Sequence, residues 1–308
     1  MKQTTDTVLM VRPQYFKFNT QTAASNAFQN EIKDLSADAL REKVLAEFDD
    51  FVGLLRHNGI HVIVIEDTAA PETPDAVFPN NWVMFHPTGQ VSLFPMAAPN
   101  RRLERRPDII EGLRENFNIS DVQDLSQPEI QNRFLEGTGS MVFDHANKVG
   151  YACISPRTDK VLFTDFCITN GYTPVTFTSV DENGQQIYHT NVMMCVGKKL
   201  AVICLDSIPD AEERQQVLKS MQTNGLKIVD ISFDQMNHFA GNMLQLTNAK
   251  GKEFLVMSDQ AYKALTKEQV SRIEEYCEIL HPELYTIEEI GGGSARCMMA
   301  EVFLPKKG

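Results

Sequence analysis

The chain has 308 residues, 43% hydrophobic and 23% charged, proportions of a globular protein that can bury a large core without disulfide or metal staples. Its 41 acidic against 29 basic residues give a net charge of −12, and the largest basic cluster, Arg101 and Arg102 with Arg105 and Arg106, is too small for a nucleic-acid footprint. No apolar run approaches the roughly eighteen residues of a membrane span, and the six cysteines lack CxxC spacing. These features lead us to expect a cytoplasmic protein with reduced thiols and no metal, membrane or nucleic-acid partner.

In chain order, the apolar run at 8–11, stopped by Pro13, predicts a buried strand. Over residues 38–58, Leu40, Val44, Leu45, Phe48, Val52 and Leu55 recur at threes and fours before Gly59, which predicts a helix. A strand at 61–65 follows, then a proline-rich loop that ends at Asn80-Asn81-Trp82. From there one unit recurs: a polar or small residue, an apolar strand, a short turn and a second strand, which together make a β-hairpin. Four hairpins lead off from Asn81, Ser140, Asn191 and Asn242. A fifth starts at Cys297 and lacks its second strand, which residues 8–11 are expected to supply.

The five leading residues are spaced 51–59 positions apart, which implies pseudosymmetry. Helices are predicted between hairpins at 108–116, at 209–224 with Pro209 in the first turn, and at 266–280 behind the capping-box pattern Thr266-x-x-Gln269. No small sheet can bury both faces alone. Five α/β units packed around an axis, helices outside, are therefore expected as a single domain over 1–308. The leading residues should converge on that axis, and assembly into a homo-oligomer is compatible with the sequence.

The chemistry is expected where the units meet. Gly291-Gly292-Gly293-Ser294-Ala295-Arg296 is a loop that can fold closely over a bound group and deliver Cys297 as a nucleophile. Strand alternation would place His189 on the same face as Asn191, and Glu136 stands beside Gly137 and Gly139. A thiolate, an imidazole that shuttles a proton, and a carboxylate that binds a polar substrate end or orients the histidine fit hydrolysis through a covalent intermediate. The other histidines, in turns, loops or at a helix end, are assigned no role.

Three elements, Leu135-Glu136-Gly137-Thr138-Gly139, His189-Thr190-Asn191 and Gly291 to Cys297, resemble in order and spacing the marks of the guanidino-group modifying enzymes, or penteins. That family includes arginine deiminase, dimethylarginine dimethylaminohydrolase and the amidinotransferases. The resemblance implies a five-bladed α/β propeller of ββαβ-type units and no cofactor. It also implies Cys297 as nucleophile, His189 as acid/base and Glu136 holding the substrate nitrogens. A small amino-acid substrate would have its carboxylate held by Arg157, in a segment similar to the family's Glu-Arg-Thr, and more loosely by Arg101 or Arg102.

Two family positions that carry aspartate in the deiminases are Asn81 and Asn191 here. An amide removes the charge that a buried guanidinium requires but offers both a donor and an acceptor to a neutral ureido group. The chain is thus similar to the citrulline-utilisation hydrolase branch, which would split citrulline to ornithine, ammonia and carbon dioxide. Two other readings stand beside it. One is a deiminase, dimethylaminohydrolase or amidinotransferase acting on the guanidine of arginine or methylarginine; the other is a non-catalytic relative that only binds.

Overall fold

Strand β1 (Thr7–Arg12) buries five of its six residues and pairs in parallel with β2 (His61–Glu66), Thr7 opposite His61 through Arg12 opposite Glu66. The structure, a computed structural model, describes residues 2–31 and 36–307. A parallel pair cannot be joined by a tight turn, and here the crossover contains the helix Ala37–His57, capped by the Ser36 side chain accepting from Ala39 N. Its buried residues, Val44, Phe48, Phe51, Val52 and Leu55, pack with Val8, Met10 and Val62 in one apolar cluster. At about 1.5–3 kcal/mol for each large side chain removed from water, this face is a major source of stability.

The same three-strand pattern recurs along the chain. Strands β3 (Val83–Phe85), β4 (Gln90–Leu93) and β5 (Asp121–Asp124) form one sheet, and β6 (Val142–Asp144), β7 (Val149–Cys153) and β8 (Thr173–Phe177) the next. Strands β9 (Met194–Val196), β10 (Leu200–Ile203) and β11 (Lys227–Asp230) form a third; β12 (Leu244–Thr247), β13 (Glu253–Val256) and β14 (Glu278–Leu280) form a fourth. In each, the first two strands are antiparallel and the third runs parallel to the second across a helical crossover. The fifth sheet is assembled from distant segments: β15 (Ala300–Glu301) pairs antiparallel with β1, Val8 opposite Glu301. Residues 8–11 thus supply the second strand missing from the fifth hairpin, as expected.

Several expectations are corrected. The hairpin was only two-thirds of the unit, because the third strands carry charged residues such as Asp121, Asp124, Lys227 and Asp230 that hide strand periodicity. Charge on an edge strand discourages unwanted pairing. The helix expected over 266–280 ends at Glu274, and its last residues are β14; the Thr266–Gln269 capping box is present. Pro209 precedes the cap Asp210 of the helix Ala211–Thr223 and does not occupy the first turn. The leading residues lie on tight turns before their strands: Asn81 ends the 3-10 turn Pro79–Asn81, while Ser140 and Asn191 sit in the helical turns Gly137–Ser140 and Thr190–Met193.

Because Phe48 is fully buried in the cluster that also holds Cys297, Met298 and Met299, Phe48→Ala is expected to destabilise the fold by about 3–5 kcal/mol. Equilibrium denaturant unfolding measures this, and a loss under about 1 kcal/mol would show that the helix face does not carry the stability assigned to it.

Candidate active site

Cys297 closes a turn after the helix Tyr285–Gly291, with its backbone N–H donating to Ser294 O at 2.9 Å. Its sulfur accepts from Asn242 Nδ2 at 3.2 Å and Asn191 Nδ2 at 3.4 Å, so three of the five leading residues meet at one atom. The second hydrogen of Asn242 Nδ2 goes to Asn191 O at 3.0 Å, and its Oδ1 accepts from Arg296 N. The two amide donors fix the position of the sulfur. The other cysteines lie in different surroundings: burial pushes the thiols of Cys153, Cys167, Cys195 and Cys277 up to about 12. Of the remaining leading residues, Asn81 lines the same cavity as Cys297, whereas Ser140 turns back to brace its own loop, accepting from Glu136 N and donating to Arg157 O.

His189 is extended and precedes the helical turn that carries Asn191, so the two do not share a strand face. They reach the same site because the chain changes conformation between them. His189 Nε2 donates to Glu136 Oε2 at 2.7 Å. Burial lowers the His189 pKa to about 4 despite Glu136, so the ring is neutral at pH 7 and the contact is a hydrogen bond with one charged partner. With Nε2 protonated, Nδ1 is left as the proton acceptor.

Glu136 is fully buried. Burial alone would raise its pKa, but Arg157 foremost, then His189 and Arg101, hold it at about 2. Its oxygens are occupied by the protein: Ala97 N donates to Oε1 at 2.8 Å, and Arg157 Nη1 lies 3.6 Å from Oε2. The structure therefore sets Glu136 against the histidine, the contact that the orienting role read from the sequence requires. The neighbouring glycine is needed for close approach, since a Cβ on Gly139 would lie 2.3 Å from Asn81 Nδ2 and 2.7 Å from His189 Nδ1.

A cavity of about 20 Å³ lies beside Cys297, bounded by Asp75, Asn81, Arg157, His189 and Gly292 among others. Two buried side-chain atoms of residues that line it lack a partner among the described residues, Asp75 Oδ1 and Asn81 Nδ2. Unpaired buried polar atoms are costly, and a polar ligand in this cavity would satisfy them. Arg101 accounts for part of the pattern. It grips Glu104 with Nε and Nη2, both at 2.9 Å, and donates from Nη1 to Asn81 Oδ1 at 2.7 Å. Arg102 does not line the cavity; it braces Met96 O and Ala97 O instead.

Segment 19–30 covers the site. Arg157 donates to Thr22 O and Ser25 Oγ, Asn19 donates to Asp75 Oδ2, and Asn26 donates to Gly291 O and Gly292 O. Of the three loop glycines only Gly292 has a positive φ, 62°, and a Cβ there would meet Asn26 Nδ2 at 2.6 Å. The loop therefore closes onto this segment and caps a helix. Beyond the segment opens a cleft of about 880 Å³, with Tyr188 the wall common to both spaces. Asp75, hidden in the proline-rich loop, and the segment 19–30 were missed from sequence; the only available signal for Asp75 was its place just before Ala76-Val77-Phe78.

The His189 ring should titrate with a midpoint near 4. The unfolded chain binds this proton at about pH 6.5 and the folded chain only near 4, so the group's contribution to stability is lost as pH falls through that window. Histidine ring NMR, with His189→Gln to assign the signal, measures the midpoint; a value near 6.5 would contradict the buried neutral ring.

The family of eukaryotic N,N dimethylarginine dimethylhydrolases matches residues 12–304 of the chain. Among solved structures, ArgZ, an arginine dihydrolase from the ornithine–ammonia cycle in cyanobacteria, aligns with a TM-score of 0.75 at 17% identity, covering 97% of this chain and 41% of that one. Its N-terminal domain, as a Cys-to-Ser variant bound to substrate, gives the same score and identity with 97% and 98% covered. A His-to-Gly dimethylarginine dimethylaminohydrolase, in an adduct with S-methyl-L-thiocitrulline, aligns with a TM-score of 0.65 at 12% identity, covering 96% and 98%. No curated protein sequence matches the chain. The profile match covers nearly the whole sequence, and the chain belongs to the dimethylarginine dimethylhydrolase family, whose members are hydrolytic enzymes.

Proposed function

We propose that this chain is a cysteine-dependent hydrolase that cleaves the ureido group of citrulline, with Cys297 as nucleophile, His189 as acid/base and Glu136 as the group that orients the histidine. The observation that carries the reading is the orientation of Asn81. Arginine can only donate hydrogen bonds, so Asn81 must turn Oδ1 toward Arg101, which leaves its unpartnered Nδ2 as the donor it can offer a ligand in the cavity it lines. A guanidinium consists wholly of donors and finds no match there; a ureido carbonyl oxygen does. Asn191 complements it by holding the sulfur with Nδ2.

The amino-acid end is assigned to Asp75 and Arg157. Asp75 Oδ1 would accept from the α-ammonium, and Arg157 would exchange its bonds to Thr22 and Ser25 for the α-carboxylate. The cavity has room for about one water, so segment 19–30 shifts when substrate enters. The Cys297 thiol gives its proton to Nδ1 of His189 as the sulfur adds to the ureido carbon; the ring passes that proton to the departing nitrogen as its C–N bond breaks, and a thiocarbamoyl adduct remains. Water then gives a proton to the same ring as it adds to the adduct carbon, the C–S bond breaks, and the ring returns the proton to sulfur. The released carbamate loses carbon dioxide, so the products are ornithine, ammonia and carbon dioxide. The reading includes one domain over 1–308, its five sheets set as the blades of an α/β propeller.

A second reading takes arginine or a methylated arginine as substrate. It is favoured by the solved relatives, among them AgrE, a structure of which is a binary complex with L-arginine, and by the buried carboxylate of Asp75 at the cavity.

Release of ammonia and ornithine from citrulline, arginine and methylarginines separates the two. Citrulline turnover is expected, reduced about a thousandfold or more in Cys297→Ala. Turnover of arginine without citrulline would overturn the choice of substrate, and full activity in Cys297→Ala would overturn the nucleophile. Asn81→Asp removes the cavity-facing donor and should lower kcat/KM for citrulline about ten- to a hundredfold relative to arginine; an unchanged ratio would contradict the role given to Asn81.

A further inference from the structure

Glu288 lies outside the catalytic group, on the helix Tyr285–Gly291, and is 1% exposed. Nothing in the reaction as described above uses it. Its Oε1 accepts from Ser294 Oγ at 2.5 Å, and its Oε2 accepts from Gln260 Nε2 at 3.2 Å. Its backbone carbonyl accepts from Gly292 N at 2.9 Å. Ser294 in turn holds the nucleophile's turn, since its carbonyl accepts from Cys297 N at 2.9 Å and Met298 N at 3.3 Å. The path from the carboxylate to the backbone of Cys297 is therefore two hydrogen bonds long and lies within buried structure.

The setting of Glu288 is unusual for a structural carboxylate. The charged groups that face it are themselves acidic, Glu47 and Asp259, and burial with these neighbours pushes its carboxyl up to about 7 against the bonds from Ser258 and Ser294. A carboxyl kept in such a place without a cationic partner needs a compensating task. We infer that Glu288 is a positioning residue for Cys297, its bond to Ser294 setting the turn so that the sulfur meets the two amide donors of Asn191 and Asn242. This rests on the reading of Cys297 as nucleophile. The three sites are geometrically coupled, because Asn242 Oδ1 accepts from Arg296 N, one residue before the cysteine, and any slip of the 294–297 turn moves the sulfur relative to both amides.

The test compares Glu288→Ala with Glu288→Gln, which keeps an acceptor oxygen for Ser294. Glu288→Ala is expected to lower kcat about ten- to a hundredfold with KM changed less than about threefold, as a displaced reacting atom does. It should slow alkylation of Cys297 by iodoacetamide to a similar degree, while Glu288→Gln stays within about threefold of the parent on both measures. Ser294→Ala removes the same bond from the other side and serves if Glu288→Ala fails to fold, with the same direction expected. Alkylation and kcat within about twofold of the parent in Glu288→Ala, or in Ser294→Ala if that variant stands in, would overturn the inference. Equal impairment of the Ala and Gln variants would do the same. Alkylation needs no substrate, so it tests the positioning role even if citrulline proves to be the wrong substrate.

Discussion

Glu136 has no exposure to solvent and is nevertheless ionised, and much of the site follows from the compensation that this charge requires. A buried carboxylate without partners would cost several kcal/mol. Arg157 is drawn to it, His189 donates to it, and the backbone of Ala97 completes its shell. Each partner has a further effect. The donation from His189 fixes the tautomer and leaves Nδ1 free to handle protons, while Arg157 extends from Glu136 to Thr22 and Ser25 and anchors the covering segment. One charge thus links His189, the proposed acid/base group, to the segment over the cavity.

Repetition of the sheet unit supplies the other half of the arrangement. Equivalent turns in three units bring Asn191, Asn242 and Cys297 into contact, so the sulfur receives two amide donors. A fourth equivalent, Asn81, is oriented by Arg101, which is itself neutralised by a bidentate grip on Glu104. On the proposed reading, amides meet the reacting group, while the charges of Asp75 and Arg157 serve the amino-acid end. Such a division suits a neutral reacting group carried by a zwitterionic amino acid.

The sequence made the repeat spacing readable, and with it the equivalence of residues 81, 140, 191, 242 and 297, because apolar strand and turn punctuation recur in each unit. The closing role of residues 8–11 was readable for the same reason. Short third strands were not, since their charged edges erase alternation, and β14 was merged with the helix before it because only three residues distinguish it. His189 and Asn191 do not share a strand face as expected; each comes near Cys297 through a strand-to-helix transition that periodicity does not reveal. Glu136 was found by its glycines, yet its partners, and hence its role, depend on Arg157 and Ala97, which are remote from it in the chain. Asp75 and segment 19–30 lie in stretches without periodicity, and their parts in the site are set by tertiary contacts alone.

The central claim is that Asn81 presents a donor to a ureido oxygen beside Cys297. A crystal structure of the Cys297→Ser variant with citrulline tests it most directly. The account predicts the ureido oxygen about 3 Å from Asn81 Nδ2, with the ureido carbon facing residue 297 and the α-ammonium on Asp75. A ureido oxygen directed away from Asn81, or a site that takes up arginine and leaves citrulline in solution, would contradict it.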